Sequence, residues 1–343
     1  MVEQLAEDGW IPRPLVRFGI RRMIAARLHA ESRRDPAARR RDLLAAMRAA
    51  PIALHAADAN AQHYEVPAAF FRLVLGPRLK YSACLWPDGV RTLAAAEEAM
   101  LALTCERAGV ADGQHVLDLG CGWGSLTRWI LERYPHCRVT AVSNSASQRA
   151  CIAAELAAGG LADRATLVTA DMNGFDPGRR FDRVCSIEMF EHMRNWEALL
   201  ARIAGWLEPD GRLFAHVFAH RTFAYPYETD GAGDWMARNF FTGGLMPSHD
   251  LFAAFDRDLA VESSWQVPGA HYARTCEAWL GNLDAARDTV LPVLGATYGR
   301  ADAARWLNRW RLFFIACAEL FAFAGGGEWF VSHHRLRPTD RPC

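Results

Sequence analysis

Two carboxylates and an imidazole stand close together directly after a short apolar run. They are Glu188, Glu191 and His192, and the preceding run ends at Ile187. Ligands of open parallel sheets bind beyond the carboxyl ends of the strands, so a strand ending here would place these polar groups at a ligand site. Glu188 and His192 would share one face if the segment were helical. The alternative is that Glu191 and His192 only cap and orient the helix that follows.

A carboxylate beside an imidazole suits an amine as the reacting group. An alkylammonium has a pKa of roughly 10 and no free lone pair while it is protonated. A site for such a group must hold the cation and then remove its proton. The sequence therefore predicts that Glu188 supplies the negative charge and that His192 acts as the base.

A second segment with chemical meaning is Val116–Gly124, in which Asp118 precedes three glycines at alternate positions. Glycine permits a tight turn and lets the backbone approach a ligand closely. A dinucleotide fingerprint needs its third glycine where this chain has Ser125, which disfavours NAD. The pattern resembles the first motif of S-adenosylmethionine-dependent methyltransferases and predicts that Gly120 and Gly122 lie against the cofactor. Another nucleotide, or a plain turn, is the alternative.

The ends of the next two predicted strands hold further candidates for cofactor contacts. Methyltransferases often end the second strand with a carboxylate that binds the ribose, and this strand ends at Ser143 without one. Asn144 can hydrogen-bond a ribose hydroxyl, and Gln148 follows on the first helical turn. After the third strand, Asp171 can accept from the adenine amino group and Met172 can pack on the ring. An Asp in this position is otherwise a helix cap.

These groups need a fold that brings several strand ends together. Short apolar runs between glycine or polar residues predict strands at residues 114–119, 138–143, 165–169, 181–187, 212–218, 259–267 and 329–336. Apolar residues at helical spacing predict helices at residues 93–108, 126–133, 147–158, 196–206, 276–294 and 301–323. Strands that alternate with helices imply a parallel sheet covered on both faces. Together with the resemblance of Val116–Gly124 to the methyltransferase motif, this alternation implies an α/β, Rossmann-like class I methyltransferase fold with a seven-stranded, mostly parallel sheet.

The chain is expected to divide into a cap and a core. Residues 1–112 are predicted to form an N-terminal helical cap that closes over the cofactor, and residues 113–343 the Rossmann-like core. Residues 219–258 carry many aromatic side chains and are predicted to be an inserted lid over the substrate pocket.

Composition excludes several classes of function. Lys plus Arg number 39 and Asp plus Glu also number 39, so no overall field draws the chain to nucleic acid or to anionic lipid. No apolar run approaches the roughly 18 residues of a membrane span, so stable membrane insertion is not expected. The nine cysteines include no C-x-x-C pair, which favours neither a disulfide framework nor a metal site.

Two further expectations concern the setting of the protein. Scattered cysteines are typical of a reducing compartment, so a cytoplasmic protein is the simplest interpretation. Lys80 is the only lysine, and this arginine bias suggests a bacterial source. A homo-oligomer is compatible with the sequence.

Residues from about 60 to 336 resemble the coclaurine and pavine N-methyltransferase branch of the cyclopropane-fatty-acid-synthase-like methyltransferases. The segments that carry the resemblance are His63–Pro67, Leu79–Ser82, Val116–Gly124, Ser186–Met193, His220–Tyr225, Phe240–Gly244 and Glu328–His333. The resemblance implies S-adenosylmethionine as the methyl donor. It implies as acceptor the nitrogen of a small aromatic-containing amine, either tetrahydroisoquinoline- or benzylisoquinoline-like or a phenylalkylamine.

The same resemblance implies roles for individual residues. Glu188, Glu191 and His192 match the family's catalytic segment, and Glu65 matches an acidic contact to the substrate amine. The expected cofactor contacts are Tyr81, Ser82, Asp118, Gly120, Gly122, Asn144, Gln148, Asp171, Met172 and Ile187. The aromatic residues expected to wall the substrate pocket are Phe223, Tyr225, Trp235 and Phe241.

Lipid-modifying cyclopropane synthases of the same superfamily are the main alternative. They bind bicarbonate as their base, and Glu191, His216 and Tyr272 match its ligands. Their pattern has a small residue, usually Gly, where this chain has Glu188, and a Cys where it has Ala83. A further carboxylate should repel an anion at close range, so carbon methylation of unsaturated acyl chains is the weaker interpretation. A catalytically inert scaffold would have lost the glycines or the acidic-His cluster, and neither is lost.

Overall fold

A seven-stranded sheet forms the centre of the fold in a computed structural model that describes residues 2–33, 35–54, 66–227 and 235–339. The strands are β1 (His115–Leu119), β2 (Arg138–Ser143), β3 (Ala165–Thr169), β4 (Phe181–Ile187), β5 (Leu207–His220), β6 (Tyr225–Pro226), β7 (Leu245–Met246), β8 (Leu259–Val267) and β9 (Trp329–Pro338). Seven of these strands form the large sheet, in the order β3-β2-β1-β4-β5-β9-β8, and β6 and β7 lie outside it. The first five strands are parallel, and β9 runs antiparallel to both of its neighbours. The predicted α/β fold with a mostly parallel sheet is confirmed.

Twelve α-helices of the described residues surround this sheet, and four of them begin at a residue whose side chain caps the helix. They are α1 (Val2–Glu7), α2 (Arg13–Ser32), α3 (Pro36–Ala49), α4 (Ala68–Val74), α5 (Leu93–Ala108), α6 (Ser125–Arg133), α7 (Ala146–Ala158), α8 (Trp196–Trp206), α9 (Trp235–Asn239), α10 (Gly269–Ala285), α11 (Arg287–Tyr298) and α12 (Ala303–Ala322). The side chain of Thr92 accepts a hydrogen bond from Ala95 N at the start of α5, and Gly109 ends that helix in the left-handed conformation. Ser145 caps α7 in the same way and thereby fixes Gln148 in its first turn.

Helices from the two ends of the chain share one apolar cluster. Phe70 and Phe71 of α4 pack with Trp279 of α10 and with Trp310 and Phe314 of α12. The N-terminal helices are therefore stabilised by C-terminal ones as well as by the sheet. The division into residues 1–112 and 113–343 stays a prediction.

Two local expectations differ from the structure. The single helix predicted over residues 276–294 is two helices that meet at Ala286, where no Gly or Pro interrupts the apolar spacing. The segment after β4 is not α-helical, because Glu188 has a φ of 48° and only Phe190–His192 form a 3-10 turn. Glu188 and His192 are consequently not paired through helical i, i+4 spacing. Their placement follows from the sharp turn at the end of β4.

Candidate active site

The turns after β1 and β4 lie side by side at the carboxyl edge of the sheet. Ile187 pairs with His216 of β5, and directly beyond it the N–H of Glu188 donates to the His216 carbonyl over 2.7 Å. A Cβ placed on Gly120, in the turn after β1, would lie only 2.7 Å from Met189 Cγ. The two segments that the sequence singled out are thus brought into contact.

Glu188 occupies an unusual backbone conformation. Its φ of 48° lies in the left-handed region, which costs an L-residue with a Cβ roughly 1–2 kcal/mol. Strain of this kind persists where the surrounding structure fixes it, and it clusters at functional sites. The conformation is one that Gly adopts without this cost, and the cyclopropane synthase pattern has Gly here.

The Glu188 carboxylate accepts hydrogen bonds from three donors. Oε1 accepts from Ala83 N over 2.9 Å and lies 3.1 Å from His216 Nε2, and Oε2 accepts from Tyr272 Oη over 2.6 Å. Burial raises the pKa of the Glu188 carboxyl, while the positive charge of Lys80 and the hydrogen bonds from Ala83 and Tyr272 oppose that rise. Its side chain is only 10% exposed, so a cation beside it would meet a weakly screened charge.

Glu191 is a second carboxyl of different character. It is fully buried, and Oε1 accepts from Phe218 N over 2.7 Å. Oε2 has no hydrogen-bond partner within the described ranges. Burial and the nearby charge of Glu188 raise its pKa well above the ordinary value. Burial thus favours the protonated form of Glu191, which could donate a hydrogen bond.

His192 lies half-buried beside an aromatic ring of the segment 219–258. Its imidazole centroid is 4.5 Å from that of Phe241. Burial lowers the pKa of His192 to about 4, and the charge of Glu188 acts in the opposite direction. The imidazole is neutral at pH 7 and keeps a lone pair that can accept a proton.

The glycine turn after β1 has the shape that a close ligand requires. Gly120 and Gly122 have φ values of 87° and 51°. A Cβ on Gly122 would meet no atom within 4 Å, so open space lies against this stretch of backbone. Asp118 lies behind the turn, where it is 1% exposed and accepts from Thr127 Oγ1 over 2.6 Å. Burial raises the pKa of the Asp118 carboxyl to about 6.

The start of α7 offers an unsatisfied polar group to the same region. Gln148 is 1% exposed, and its Oε1 accepts from Ser143 Oγ over 2.7 Å. Its Nε2 finds no hydrogen-bond partner in the part of the chain that the structure describes. A buried donor without a partner is costly, so this amide fits a ligand acceptor. Asn144, the residue that follows β2, is half-buried.

The predicted adenine contacts differ in exposure. Asp171 is exposed, and its Oδ1 accepts from the N and Nδ2 of Asn173, as a turn-capping side chain does. Met172 is buried in the apolar cluster that includes Leu119 and Met189. Met172 therefore lies with the ends of β1 and β4, whereas the Asp171 carboxylate already has a local role.

The Tyr81-Ser82 pair adjoins Glu188 directly, because the next residue, Ala83, donates to that carboxylate. The Tyr81 ring packs on Trp279, with 5.6 Å between centroids. Ser82 Oγ accepts from Lys80 Nζ over 2.6 Å. The only lysine of the chain thus supports the predicted cofactor pair from inside the protein.

The aromatic candidates separate into different environments. Phe241 contacts His192, and Tyr225 is buried with its hydroxyl accepting from Trp329 Nε1 over 3.1 Å. Phe223 stacks on His220 and lines a surface pocket of about 440 Å³ beside α2. Trp235 donates from Nε1 to Glu7 of α1 over 2.8 Å. Of these four aromatic side chains, Phe241 is the one whose ring contacts a residue of the Glu/His cluster within the described residues. Glu65 lies outside the described residues.

Sequence reasoning missed several neighbours of Glu188. Lys80 was considered only because it is the single lysine of the sequence. Nothing in the sequence indicates that the backbone N–H of Ala83 donates to Glu188. His333 pairs opposite His216 across β5 and β9, and its ring lies within hydrogen-bond distance of both His216 and Arg107. The two adjacent histidines of the last predicted strand, His333 and His334, were the only available signal, since strand register is not visible in one sequence.

The described residues contain no membrane-spanning helix, no metal-binding cluster and no disulfide bond. No helix there is long and apolar enough to cross a membrane. The same ranges contain no group of three or more His, Cys, Asp or Glu side chains arranged to hold a metal ion. The cysteines of these ranges are free thiols.

A family model described as "Mycolic acid cyclopropane synthetase" matches residues 53–325. The chain is 39% identical to (S)-coclaurine N-methyltransferase of Thalictrum flavum subsp. glaucum, with 85% of this chain and 82% of that protein covered. It is 29% identical to the cyclopropane-fatty-acyl-phospholipid synthase of Escherichia coli (strain K12), with 80% and 67% covered. A bacterial source is not supported, because the N-methyltransferase relatives come from plants.

The fold agrees with solved structures of the same kind. A crystal structure of coclaurine N-methyltransferase bound to N-methylheliamine and SAH has a TM-score of 0.94 and 37% identity, and it covers 97% of this chain and 98% of that one. The cyclopropane synthase MmaA2 from Mycobacterium tuberculosis, 24% identical with a TM-score of 0.70 over 84% of this chain and 99% of that one, shares the fold. The chain belongs to the mycolic acid cyclopropane synthetase family of S-adenosylmethionine-dependent methyltransferases, in the branch of the coclaurine N-methyltransferases.

Proposed function

We propose that this enzyme transfers a methyl group from S-adenosylmethionine to the nitrogen of a small aromatic-containing amine. The acceptor is a tetrahydroisoquinoline or benzylisoquinoline-like amine, or a phenylalkylamine. The observation that carries the proposal is the Glu188 carboxylate, which is fixed by three donors beside the glycine turn and whose charge acts on the neutral imidazole of His192. The names of the plant relatives and the N-methylheliamine of the related crystal structure support the same substrate class.

The chemistry assigned to the site separates charge from proton transfer. Glu188 holds the substrate ammonium, since its negative charge is poorly screened in a buried setting. His192 accepts the proton, and Glu188 stabilises the imidazolium that results. The freed amine nitrogen then attacks the methyl group and becomes positively charged again, so the same carboxylate stabilises the developing cation. Glu191, whose pKa is raised by burial and whose Oε2 has no partner among the described residues, would orient the amine by hydrogen bonding.

The cofactor would be held by the two strand-end segments and the Tyr81-Ser82 pair. The open space at Gly122 and the unpartnered Gln148 amide fit a ligand that lies close to the backbone and offers acceptors. Bound S-adenosylmethionine supplies the electrophilic methyl group. Asn144, Met172 and Ile187 would complete its contacts, and Phe223, Tyr225, Trp235 and Phe241 would wall the acceptor pocket together with Glu65.

Bicarbonate-assisted carbon methylation of lipid acyl chains is the second candidate. His216 and Tyr272, which match bicarbonate ligands of the cyclopropane synthases, both contact the Glu188 carboxylate here. The protein's own carboxylate thus uses the donors that a bound anion would need, and it would repel that anion. This arrangement favours an amine over an unsaturated acyl chain.

The acceptor class is tested by mass spectrometry with methyl-labelled S-adenosylmethionine. The purified protein is incubated separately with a panel of tetrahydroisoquinolines and phenylethylamines and with vesicles of unsaturated phospholipid, with and without bicarbonate. We expect label on amine nitrogen, with rates that rank the amines. Bicarbonate-dependent label in acyl chains would assign the protein to the lipid-modifying branch instead.

Two properties of the protein stay predictions. We propose a cytoplasmic location, which the free thiols of the described residues support because disulfides are rare in a reducing compartment. Fluorescence microscopy of a tagged protein checks it. Self-association into a homo-oligomer is checked by light scattering of the purified protein.

A further inference from the structure

A hydrogen-bonded chain runs from a surface arginine to the Glu188 carboxylate. Arg107 Nη1 lies 2.8 Å from His333 Nδ1, and His333 Nε2 lies 3.0 Å from His216 Nδ1. His216 Nε2 in turn lies 3.1 Å from Glu188 Oε1. The two histidines are held in place by strand pairing, since His216 of β5 lies directly opposite His333 of β9. Both imidazoles are fully buried, whereas Arg107 on α5 is partly exposed.

Arg107 determines the direction of every hydrogen bond in this chain. A guanidinium has donors and no acceptor, so the Nδ1 atom of His333 must be the acceptor. A neutral His333 then carries its proton on Nε2 and donates to His216 Nδ1. By the same reasoning His216 carries its proton on Nε2 and donates to Glu188. For neutral imidazoles the direction follows from the identity of Arg107 and needs no observed hydrogen position.

An extra proton on either imidazole would break the chain. An imidazolium donates from both nitrogens, so a protonated His216 would oppose the donor of His333, and a protonated His333 would oppose Arg107. Burial acts in the same direction and lowers the pKa of His216 and of His333 well below the ordinary value. The chain therefore delivers a hydrogen bond to Glu188 and offers its proton no route outward.

We propose that Arg107 and His333 are positioning residues that fix His216 as its Nε2–H tautomer, so that Glu188 stays negatively charged. The proposal rests on the proposed function for the role of that charge, which is to hold the substrate ammonium. Its consequence for the reaction is that the proton of the amine leaves through His192 and not through His216.

Several other charged or titratable groups act on the members of this chain. Those facing Glu188 are Lys80, Glu191, His192 and Tyr272, with the thiols of Cys84 and Cys276. Lys80 also acts on both imidazoles, and His334 acts on His333. These groups are the same in the wild type and in an Arg107 variant, so the effect of a change at Arg107 is measured against a constant background.

The test compares Arg107→Met with a matched control, Arg335→Met. Both guanidiniums lie over the Trp265 ring, at 5.0 and 5.8 Å from its centroid, so each variant removes one positive charge from the same surface. Arg335 donates to Glu262 and to the Arg107 carbonyl, but it donates to neither histidine of the hydrogen-bonded chain. The pH profile of kcat/KM is measured for both variants. We expect the acidic limb of Arg107→Met to move up by about one pH unit, because Glu188 then protonates more easily, and that of Arg335→Met to stay near wild type.

A second pair of variants distinguishes the effect of losing the hydrogen bonds of His333 from the effect of changing its packing. His333→Gln can still accept from Arg107 through Oε1 and donate to His216 through Nε2, whereas His333→Leu cannot. We expect the first to keep the wild-type acidic limb and the second to shift it as Arg107→Met does. Equal behaviour of the two variants, or equal shifts in the two arginine variants, would overturn the proposal.

The tautomers are also measured without turnover, which keeps this inference distinct from the proposed function. In ¹⁵N-histidine NMR spectra, assigned with His216→Gln and His333→Gln, we expect both imidazoles to be protonated on Nε2 alone. A proton on His216 Nδ1 in the wild type would contradict the proposal whatever the enzyme methylates. If both histidines had the expected tautomers but the protein methylated no amine, the inference about the hydrogen-bonded chain would stand and the proposed function would be refuted.

Discussion

At the scale of single residues, the proposed mechanism depends mainly on Glu188. Its type and its place after a strand were visible in the sequence and predicted a cation-holding carboxylate. Its left-handed φ of 48° and its three donors were not, because they depend on residues 83, 216 and 272, which lie far apart in the chain. Glu191 shows the same limit, since nothing in the sequence indicates that it is fully buried or that burial raises its pKa.

Removing the charge of Glu188 should separate catalysis from cofactor binding. Glu188→Gln keeps the shape of the side chain but loses the charge that holds the ammonium, and we expect kcat/KM for the amine to fall by about 100-fold or more. Cofactor affinity, measured by calorimetry with S-adenosylhomocysteine, should stay within a factor of about three, because the glycine turn is unchanged. Glu208→Gln, at an exposed position of β5, is the control. Turnover near wild type in Glu188→Gln would remove this residue from the mechanism.

The backbone strain at residue 188 gives a stability prediction. Both Glu188→Gly and Glu188→Ala remove the carboxylate, but only Gly adopts a φ near 48° without a steric cost. We expect Glu188→Gly to have a free energy of unfolding about 1 kcal/mol higher than Glu188→Ala in urea titrations. Equal stability of the two variants would mean that the turn relaxes when the carboxylate is lost.

At the scale of elements, periodicity and glycine placement predicted most of the sheet. The strands at 138–143, 165–169, 181–187 and 259–267 have the predicted bounds, because each is a short apolar run with polar or glycine residues at its ends. The break at Ala286 was missed, since the apolar spacing continues through it. Glu188 and His192 were expected to share one face if the segment after β4 were helical, and that segment is not an α-helix. Its shape is instead set by the hydrogen bond from Glu188 to the neighbouring strand, which local propensity does not encode.

The glycine turn after β1 predicts a specific loss of cofactor affinity. In Gly122→Val a branched side chain would fill the open space beside the backbone, and we expect binding of S-adenosylhomocysteine to become undetectable by calorimetry. Gly160→Val is the matched control, because Gly160 also has a positive φ, of 66°, and an open Cβ position, but lies at the end of α7. Loss of affinity in both variants would indicate general destabilisation, and retained affinity in Gly122→Val would refute the loop assignment.

At the scale of the whole molecule, the site depends on contacts between distant parts of the chain. The order β5-β9-β8 brings His333 against His216, although 117 residues separate them. A single sequence identifies each strand but not its register, so the chain from Arg107 to Glu188 could not be predicted. Buried neutral histidines are a further property of the assembled molecule, and they link its stability to pH.

His334 provides the clearest case of this linkage. It lies on the face of β9 opposite to His333, it is 2% exposed, and its Nδ1 is 2.8 Å from Ser264 Oγ. Burial lowers the pKa of His334 from 6.5 to about 3. A group whose folded pKa is lowered stabilises the fold above its unfolded pKa, and this contribution is lost as pH falls from about 6.5 towards 3. We expect the free energy of unfolding to decline between pH 6.5 and 4, and His334→Gln to reduce that decline by at most about 3 kcal/mol. An unchanged decline in the variant would contradict the assignment.

We propose that the methyl group goes to nitrogen because the fixed carboxylate of Glu188 holds the amine. The most direct measurement is a competition in one vessel, with ¹³C-methyl S-adenosylmethionine, a tetrahydroisoquinoline, unsaturated phospholipid vesicles and bicarbonate. We predict that wild-type protein places the label on the amine nitrogen, that Glu188→Gln loses this product, and that the acyl chains stay unlabelled with both proteins. Label in the acyl chains with the wild type, or undiminished N-methylation in Glu188→Gln, would contradict the account.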